Sequence, residues 1–173
     1  MTDRAVSVGY VGLGNLGVHL AASLLRAGHT VTVTDLHPEA AAPLLAAGAH
    51  WADTAKAVGE ASDVVFTCLP SPAAVNAVMC GPDGVLAGLR AGGTWIDNST
   101  NDRDETLRLA ALAEAVGVRT LEAPVTGGVH KAAAGEITVL VGGDEAVFDE
   151  HRAVLAAIGD PVLYMGPLGS AAV

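Results

Sequence analysis

A glycine-rich turn lies near the start of the chain, between a short apolar run and a helical pattern. The turn reads Gly12-Leu13-Gly14-Asn15-Leu16-Gly17 and has the spacing G-x-G-x-x-G. In such a turn the first glycine permits a tight bend, the second lets the backbone approach a diphosphate, and the third lets the helix pack closely on the strand. The diphosphate then meets the free N–H groups at the helix N-terminus. We therefore predict that these six residues bind a dinucleotide.

An acidic residue closes the next apolar run, TVTVTD. Asp35 lies about 20 positions after the glycines, where a carboxylate can accept hydrogen bonds from the adenosine ribose hydroxyls. The same carboxylate would repel a 2′-phosphate, and the following Leu36 offers no positive charge to attract one. Asp35 and Leu36 thus predict NAD as the preferred cofactor, with NADP possible. The alternative is a plain glycine turn followed by an unrelated aspartate.

Short β-branched runs alternate with helical patterns along the rest of the chain. Strands are predicted at Ala5–Val11, Thr30–Asp35, Asp63–Leu69, Thr94–Asp97, Arg119–Pro124, Ile137–Val141 and Val162–Met165. Helices are predicted at Asn15–Ala27, Pro38–Gly48, from Ser71-Pro72 onward, Asp102–Ala115 and Asp144–Ile158. This alternation predicts an α/β fold of the Rossmann type, a doubly wound and mostly parallel sheet with helices on both faces. We expect a single dinucleotide-binding domain over residues 1–165.

Composition and charge narrow the classes of partner. Hydrophobic residues make up 51% of the chain and aromatic residues only 3%, a mixture that suits helices packed on a buried sheet. The net charge of −10 argues against nucleic acid or an anionic membrane as partner. No apolar run has the length of a membrane span and no leader peptide is recognised, so a cytoplasmic location is expected. Cys68 and Cys80 lack metal-ligand spacing, which predicts two reduced thiols and no metal site.

Four segments together carry a more specific signal. They are VGYVGLGNLGVHLAASLLRAGHTVTV, DVVFTCLPSPAAVNAVM, WIDNSTNDRDETLRLA and EAPVTGGVHKAAAGEITVLVGG. In this order and at this spacing, they resemble the β-hydroxyacid dehydrogenases, which include 3-hydroxyisobutyrate, tartronate semialdehyde and 6-phosphogluconate dehydrogenases. The resemblance covers essentially the whole chain.

The resemblance implies roles for residues outside the glycine turn. Leu69 and Pro70 would contact the adenosine half of the cofactor, and the Thr100 hydroxyl would approach the nicotinamide side. Thr126, Gly127 and Gly128 would bind the carboxylate of a small substrate, since an anion needs donors and glycines expose backbone N–H groups.

Simpler interpretations of the same residues stay open. Ser99 or Thr100 could cap the helix that starts near Asp102, and Gly127-Gly128 could be an ordinary turn. His130 and Lys131 are expected in a solvated loop, with contact to the substrate as the alternative.

The chain also departs from the family pattern at three positions. Arg103 stands where proline is usual, Lys131 where glycine is common, and Thr126 replaces the commoner serine. These departures leave the family resemblance intact and put the identity of the substrate in doubt.

The last residues read Gly166-Pro167-Leu168-Gly169 and then Ser170-Ala171-Ala172-Val173. In the family, the catalytic lysine follows such a G-P-x-G turn on a long helix that leads to a helical domain. We therefore expect residues 166–173 to begin this interdomain helix, with its apolar side exposed and prone to self-association. The lysine is expected just beyond Val173, so no catalytic residue is assigned within the chain. The helical domain would also be the part through which the parent protein forms a homo-oligomer.

Three functions are consistent with these sequence features. The first is the NAD(P)-binding domain of an oxidoreductase acting on a small β-hydroxyacid similar to 3-hydroxyisobutyrate, inactive by itself. The second is the corresponding domain of an imine reductase, which shares this architecture but replaces the lysine. The third is a dinucleotide-binding module without catalysis.

Overall fold

A computed structural model of the chain describes residues 6–171. Its strands are β1 Ser7–Val11, β2 Thr30–Thr34, β3 His50–Trp51, β4 Val64–Thr67, β5 Thr94–Asp97, β6 Arg119–Glu122, β7 Val125–Thr126, β8 Ile137–Gly142 and β9 Gly159–Gly166. Its α-helices are α1 Gly17–Arg26, α2 Ala42–Ala46, α3 Ala55–Glu60, α4 Pro72–Met79, α5 Val85–Gly88, α6 Arg103–Ala115, α7 Gly128–Ala134, α8 Glu145–Glu150 and α9 Arg152–Ile158. A 3-10 turn, Pro38–Ala41, precedes α2.

The strands form one sheet in the order β3-β2-β1-β4-β5-β6-β8-β7, with β9 paired to β8. The first six strands in this order are parallel, which confirms the Rossmann-type, doubly wound fold. The strand order reverses between β1 and β4. In open α/β sheets, ligands bind at the carboxyl ends of the strands beside such a reversal.

Two apolar clusters cover the two faces of the sheet. The larger cluster contains Tyr10, Leu20, Leu24 and Phe66, with α1 packed on its face. The smaller one lies under α3, α4, α5 and α6 and contains Trp95, Met79 and Leu109. Burying both faces explains why the strands have nearly continuous apolar sequences.

The structure adds detail to the predicted elements and corrects some of them. β8 runs antiparallel to β6 and β7, as a mostly parallel sheet allows, whereas the loop expected at His130 and Lys131 is part of the helix α7. The segment predicted as a single helix over Asp144–Ile158 is divided at His151 into α8 and α9.

Residues 167–169 form a turn, in agreement with the G-P-x-G motif, and the chain bends at Ser170 and Ala171. Ala171 is 2% exposed, so the exposed apolar edge expected there is wrong at this residue. Ala172 and Val173 lie outside the described residues.

The side chain at the α8–α9 junction is a buried imidazole. His151 is 6% exposed, and its Nδ1 lies 2.7 Å from the carbonyl oxygen of Val147. Because a carbonyl oxygen only accepts, Nδ1 carries the proton and donates it. Burial lowers the pKa of His151, and this effect outweighs the hydrogen bond to Val147 and the nearby Glu150 charge, which raise it.

We expect the free energy of unfolding to fall as the pH drops from about 7.5 to 5. In the unfolded chain His151 takes up a proton at its ordinary pKa, whereas in the folded chain its pKa is lower. The folded state therefore loses free energy of unfolding as the pH falls from the unfolded-state pKa toward the folded-state pKa. Urea unfolding of the wild type and of His151→Gln across this range measures the effect. The variant should lose less stability on acidification, whereas exposed His130→Gln should behave like the wild type. Parallel pH profiles for the wild type and His151→Gln would contradict the expectation.

Two absences apply to residues 6–171. No helix in this part of the chain is long and apolar enough to cross a membrane. Nor do three or more His, Cys, Asp or Glu side chains there come together as a metal site.

Candidate cofactor and substrate site

The glycine turn connects β1 to α1 at the reversal of strand order. Gly12 has a φ of 101°, and its amide donates to the carbonyl oxygen of Thr34 at 3.2 Å. A side chain at Gly12 would collide with the Cys68 carbonyl, and one at Gly17 would collide with the Gly12 carbonyl. Gly14, by contrast, is exposed and faces open space. The first and third glycines are therefore needed for packing, while the second leaves room for a ligand.

Asp35 holds the glycine turn from the end of β2. Its Oδ2 accepts a hydrogen bond from the Leu13 amide at 2.6 Å, and its Oδ1 accepts one from the His37 amide at 2.8 Å. Leu36, between Asp35 and His37, is 94% exposed. Sequence reasoning predicted a ligand-facing carboxylate at Asp35 but missed this structural role.

The loops after β4 and β5 are joined to each other. The Leu69 amide donates to the Ser99 hydroxyl at 2.9 Å, and a side-chain atom of Leu69 lies beside Gly12. The N-cap of α6 is Asp102, which accepts from the Glu105 amide at 3.1 Å. Neither Ser99 nor Thr100 caps that helix, so Ser99 links the loops and Thr100 is exposed. Pro70 is exposed as well.

A pocket of about 160 Å³ opens at the carboxyl ends of β5 and β6. Its wall includes Thr100 and Thr106, the acidic residues Asp97 and Glu122, and Ala171. Parallel strands β5 and β6 place Asp97 and Glu122 next to each other in register. Two neighbouring buried carboxylates need compensating donors.

Asp97 obtains its donors locally. It is 2% exposed, and its Oδ1 accepts from the Thr67 hydroxyl at 2.9 Å and from the Ser99 amide at 3.0 Å. Trp95 Nε1 in turn donates to the Thr67 oxygen at 2.9 Å. Burial raises the pKa of Asp97, although the bonds from Ser99 and Thr67 act in the opposite direction. The network fixes the loop that carries Ser99 and Thr100.

A second buried network lies behind the glycine turn. The Tyr10 hydroxyl donates to Asn98 Oδ1 at 2.8 Å, and Asn98 Nδ2 donates to the Ala123 carbonyl at 2.7 Å. Burial raises the pKa of Tyr10, so the phenol keeps its proton and remains a donor. Burial, with the nearby Asp97 charge, also raises the pKa of Cys68 to about 11. Cys68 is therefore a thiol at neutral pH and a poor nucleophile.

Glu122 obtains its donors from a distant part of the chain. Its Oε2 accepts from the amides of Gly169 and Ala171, the latter at 3.3 Å. Sequence reasoning missed this residue, although it is the one charged side chain in the run TLEAPV. A single carboxylate among apolar residues could have indicated a buried charge with specific hydrogen-bond donors.

The residues implied for substrate binding lie on β7 and at the start of α7. Thr126, Gly127 and Gly128 are exposed, and the two glycines have φ angles of 136° and 85°. Among the described residues these three are not part of the pocket wall, although nearby Pro124 is. His130 and Lys131 are exposed as expected but belong to α7 rather than to a loop. Arg103 begins α6, the position that favours proline, and its side chain lies against Gly169.

The geometry at the glycine turn fits a dinucleotide. Open space in front of Gly14 allows a diphosphate to approach the backbone, and Leu16 leaves the N-terminus of α1 without a side-chain cap. The first turn of this ten-residue helix contains no acidic residue that would repel an anion. Gly12, Leu69 and Thr100 follow the neighbouring parallel strands β1, β4 and β5, so all three lie at the same edge of the sheet.

Comparison with known proteins agrees with this geometry. Residues 7–166 match the family described as the NAD binding domain of 6-phosphogluconate dehydrogenase. The chain is 38% identical to 2-(hydroxymethyl)glutarate dehydrogenase of Eubacterium barkeri over 168 residues, which covers 97% of this chain and 56% of that protein. The chain thus spans about half the length of this relative.

Solved structures show the same relationship. The fold is similar to that of Mycobacterium tuberculosis 3-hydroxyisobutyrate dehydrogenase with L-serine, with a TM-score of 0.91 and 35% identity over 97% of this chain and 57% of that one. It is also similar to an imine reductase from Pseudomonas sp., with a TM-score of 0.85 and 26% identity over 97% and 58% of the two chains. The match to the family model, together with the glycine turn and the parallel sheet, shows that the chain is an NAD-binding domain of the β-hydroxyacid dehydrogenase family.

Proposed function

We propose that this chain binds NAD(H) in preference to NADP(H) as the cofactor domain of a dehydrogenase that oxidises a small β-hydroxyacid. The observation that carries the proposal is the glycine turn, in which open Gly14 lies at the N-terminus of α1 with Asp35 beside it. A carboxylate at this position favours a ribose hydroxyl over a 2′-phosphate.

The relatives support the substrate class. Their names specify 2-(hydroxymethyl)glutarate and 3-hydroxyisobutyrate, and the M. tuberculosis structure contains L-serine. Each of these compounds carries a hydroxymethyl group on the carbon next to a carboxylate. We propose that the substrate of the parent protein has the same arrangement, with its carboxylate on the Thr126 hydroxyl and the amides of Gly127 and Gly128.

The chain's own residues would orient the reactants. The Gly12–Gly17 turn would hold the diphosphate, Asp35 and Leu36 the ribose and its surroundings, and Leu69 and Pro70 the adenosine half. Thr100, on a loop fixed by Asp97 and Ser99, would donate to the nicotinamide side. When bound, NAD⁺ supplies the acceptor for the hydride that leaves the hydroxyl carbon.

Oxidation of the hydroxyl group also needs a base for its proton. The lysines of this chain are Lys56 and Lys131, and neither is part of the pocket wall within the described residues. We propose that the base is a lysine of the parent protein just beyond Val173, as the family resemblance implies. General-base catalysis contributes about 10²- to 10⁴-fold in rate, so the 173 residues alone should bind cofactor without appreciable turnover.

An imine reductase is the second candidate, favoured by the similarity to the Pseudomonas structure. In that case the parent protein should have aspartate or tyrosine in place of the lysine. The higher identity to the two dehydrogenases, 38% and 35% against 26%, favours the dehydrogenase.

Calorimetry and an NAD-linked assay test the proposal. We expect the chain to bind ADP-ribose and NADH, with weaker binding of NADPH, and to leave 3-hydroxyisobutyrate, 2-(hydroxymethyl)glutarate and L-serine unoxidised. The longer parent protein should oxidise at least one of these and lose activity when its lysine is replaced. Absence of ADP-ribose binding would contradict the cofactor assignment, and oxidation by the short chain at the parent's rate would contradict the assignment of the base.

A further inference from the structure

The buried carboxylate of Glu122 lies under the turn formed by residues 166–171. Glu122 is 4% exposed, and burying a carboxylate is costly unless donors replace water. Its Oε2 accepts from both the Gly169 and the Ala171 amide. The carboxylate and the turn therefore depend on each other.

The sheet leaves space for this carboxylate. Gly142 on β8 pairs with Glu122 in register, and a Cβ atom at Gly142 would collide with the Glu122 carboxylate. Gly142 has no positive φ, so its backbone does not require glycine. Glycine at position 142 therefore leaves room for the Glu122 carboxylate, which a larger side chain would displace.

Within the turn, one backbone hydrogen bond accompanies the contacts of these amides with Glu122. Gly166 and Gly169 have φ angles of 126° and 97°, and a backbone hydrogen bond within the turn joins the Ser170 amide to the Pro167 carbonyl at 3.0 Å. Two other charged residues lie beside the contact: Asp97 on β5, in register with Glu122, and Arg103, whose side chain lies against Gly169. Loss of the Glu122 acceptor would leave two buried N–H groups unpaired.

The turn also forms part of the pocket. Ala171 lies in the same wall as Thr100, the residue that the proposed function places on the nicotinamide side. We propose that Glu122 is a positioning residue, which holds the Gly169–Ala171 segment as the pocket wall facing the nicotinamide half of the cofactor. The identity of the ligand rests on the proposed function, whereas the contact between Glu122 and the Gly169–Ala171 segment does not.

Hydrogen exchange of individual amides tests the contact without any ligand. In Glu122→Ala, exchange at Gly169 and Ala171 should accelerate about 10- to 100-fold, the range expected for losing a hydrogen bond to a charged group. Glu122→Gln keeps a weaker, neutral acceptor and should give intermediate rates. Gly142→Ala should accelerate exchange as much as Glu122→Ala does, because its methyl group displaces the carboxylate. If Glu122→Ala does not fold, Gly142→Ala provides the test. Exposed Glu114→Ala is the control and should leave both rates unchanged.

Binding of two ligands tests the effect on the pocket. ADP-ribose lacks the nicotinamide half, so its Kd should be the same in the wild type, Glu122→Ala and Gly142→Ala. The Kd of NADH should rise about tenfold in both variants, a change of about 1.4 kcal/mol.

The outcomes separate the two proposals. If the exchange rates of the Gly169 and Ala171 amides stay unchanged in Glu122→Ala and Gly142→Ala, the proposed role of Glu122 is wrong. It is also wrong if both variants bind NADH and ADP-ribose with the same ratio of affinities as the wild type. A wild-type chain that binds neither ligand would instead contradict the proposed function, while the exchange rates would still decide whether Glu122 holds the turn.

Discussion

Replacing Gly12 with alanine is expected to lower the free energy of unfolding by about 3 kcal/mol. A positive φ angle costs a non-glycine residue about 1–2 kcal/mol, and the φ of Gly12 is 101°. Forcing a methyl group into a packed site adds about 1–3 kcal/mol, because the new Cβ would meet the Cys68 carbonyl. Urea unfolding measures the loss, and NADH binding should be abolished at ordinary concentrations.

Two other glycines provide matched controls for this result. Gly48 has a similar φ of 107° but open surroundings, so Gly48→Ala should show the cost of the backbone angle alone. Gly14 also faces open space, and its alanine variant should change stability by no more than about 0.5 kcal/mol. Gly14→Ala should nevertheless weaken NADH binding, because its methyl group occupies the space proposed for the diphosphate. Equal stability of Gly12→Ala and Gly48→Ala would show that the contact with Cys68 is unimportant.

The double variant Asp35→Ala/Leu36→Arg is expected to shift cofactor preference toward NADP(H). It removes the carboxylate that we propose disfavours a 2′-phosphate and adds a guanidinium at a position that is 94% exposed. The ratio of NADPH to NADH affinity should rise about 100-fold, since a hydrogen bond to a charged group contributes about 1.5–3 kcal/mol. Calorimetry with both cofactors, at one salt concentration, measures the ratio.

Asp35 also has a structural role, which the experiment must separate from ligand recognition. Its carboxylate accepts from the Leu13 and His37 amides, so the double variant should be less stable than the wild type. Asp35→Asn removes the charge but keeps an acceptor for only one of these two amides, because its Nδ2 is a donor, so its stability should lie between those of the wild type and the double variant. Leu45→Arg adds the same charge at another exposed leucine and should leave the ratio unchanged. Tighter binding of NADPH than of NADH by the wild-type chain would contradict the NAD assignment.

The fold class was predictable because its signals are local. Runs such as VGYV and TVTVT have the apolar character of strands buried on both faces, and each is followed within a few residues by a helix or turn signal. The glycine turn was predictable for the same reason, since strand, turn and helix are contiguous in the chain. The family resemblance likewise depends on segments that can each be recognised separately.

The direction of β8 and the helix α7 were not predictable by the same reasoning. An apolar run such as Ile137–Val141 has the same sequence character whether its neighbours are parallel or antiparallel. Gly127 and Gly128 indicated a turn correctly, but a helix begins at Gly128. Packing of Ala132 against the core, where it is fully buried, stabilises a helical segment that lacks a side-chain cap.

The sequence by itself determined the parallel α/β architecture, the glycine turn and the acidic residue after β2, because each depends on residues close together in the chain. Only the tertiary structure decided what surrounds the pocket. Glu122 binds amides 47 and 49 positions away, and Asp35 holds a turn 22 positions before it. Such contacts form where the carboxyl ends of parallel strands meet at one edge of the sheet, and the pairing of the strands, which no single segment encodes, brings those ends together.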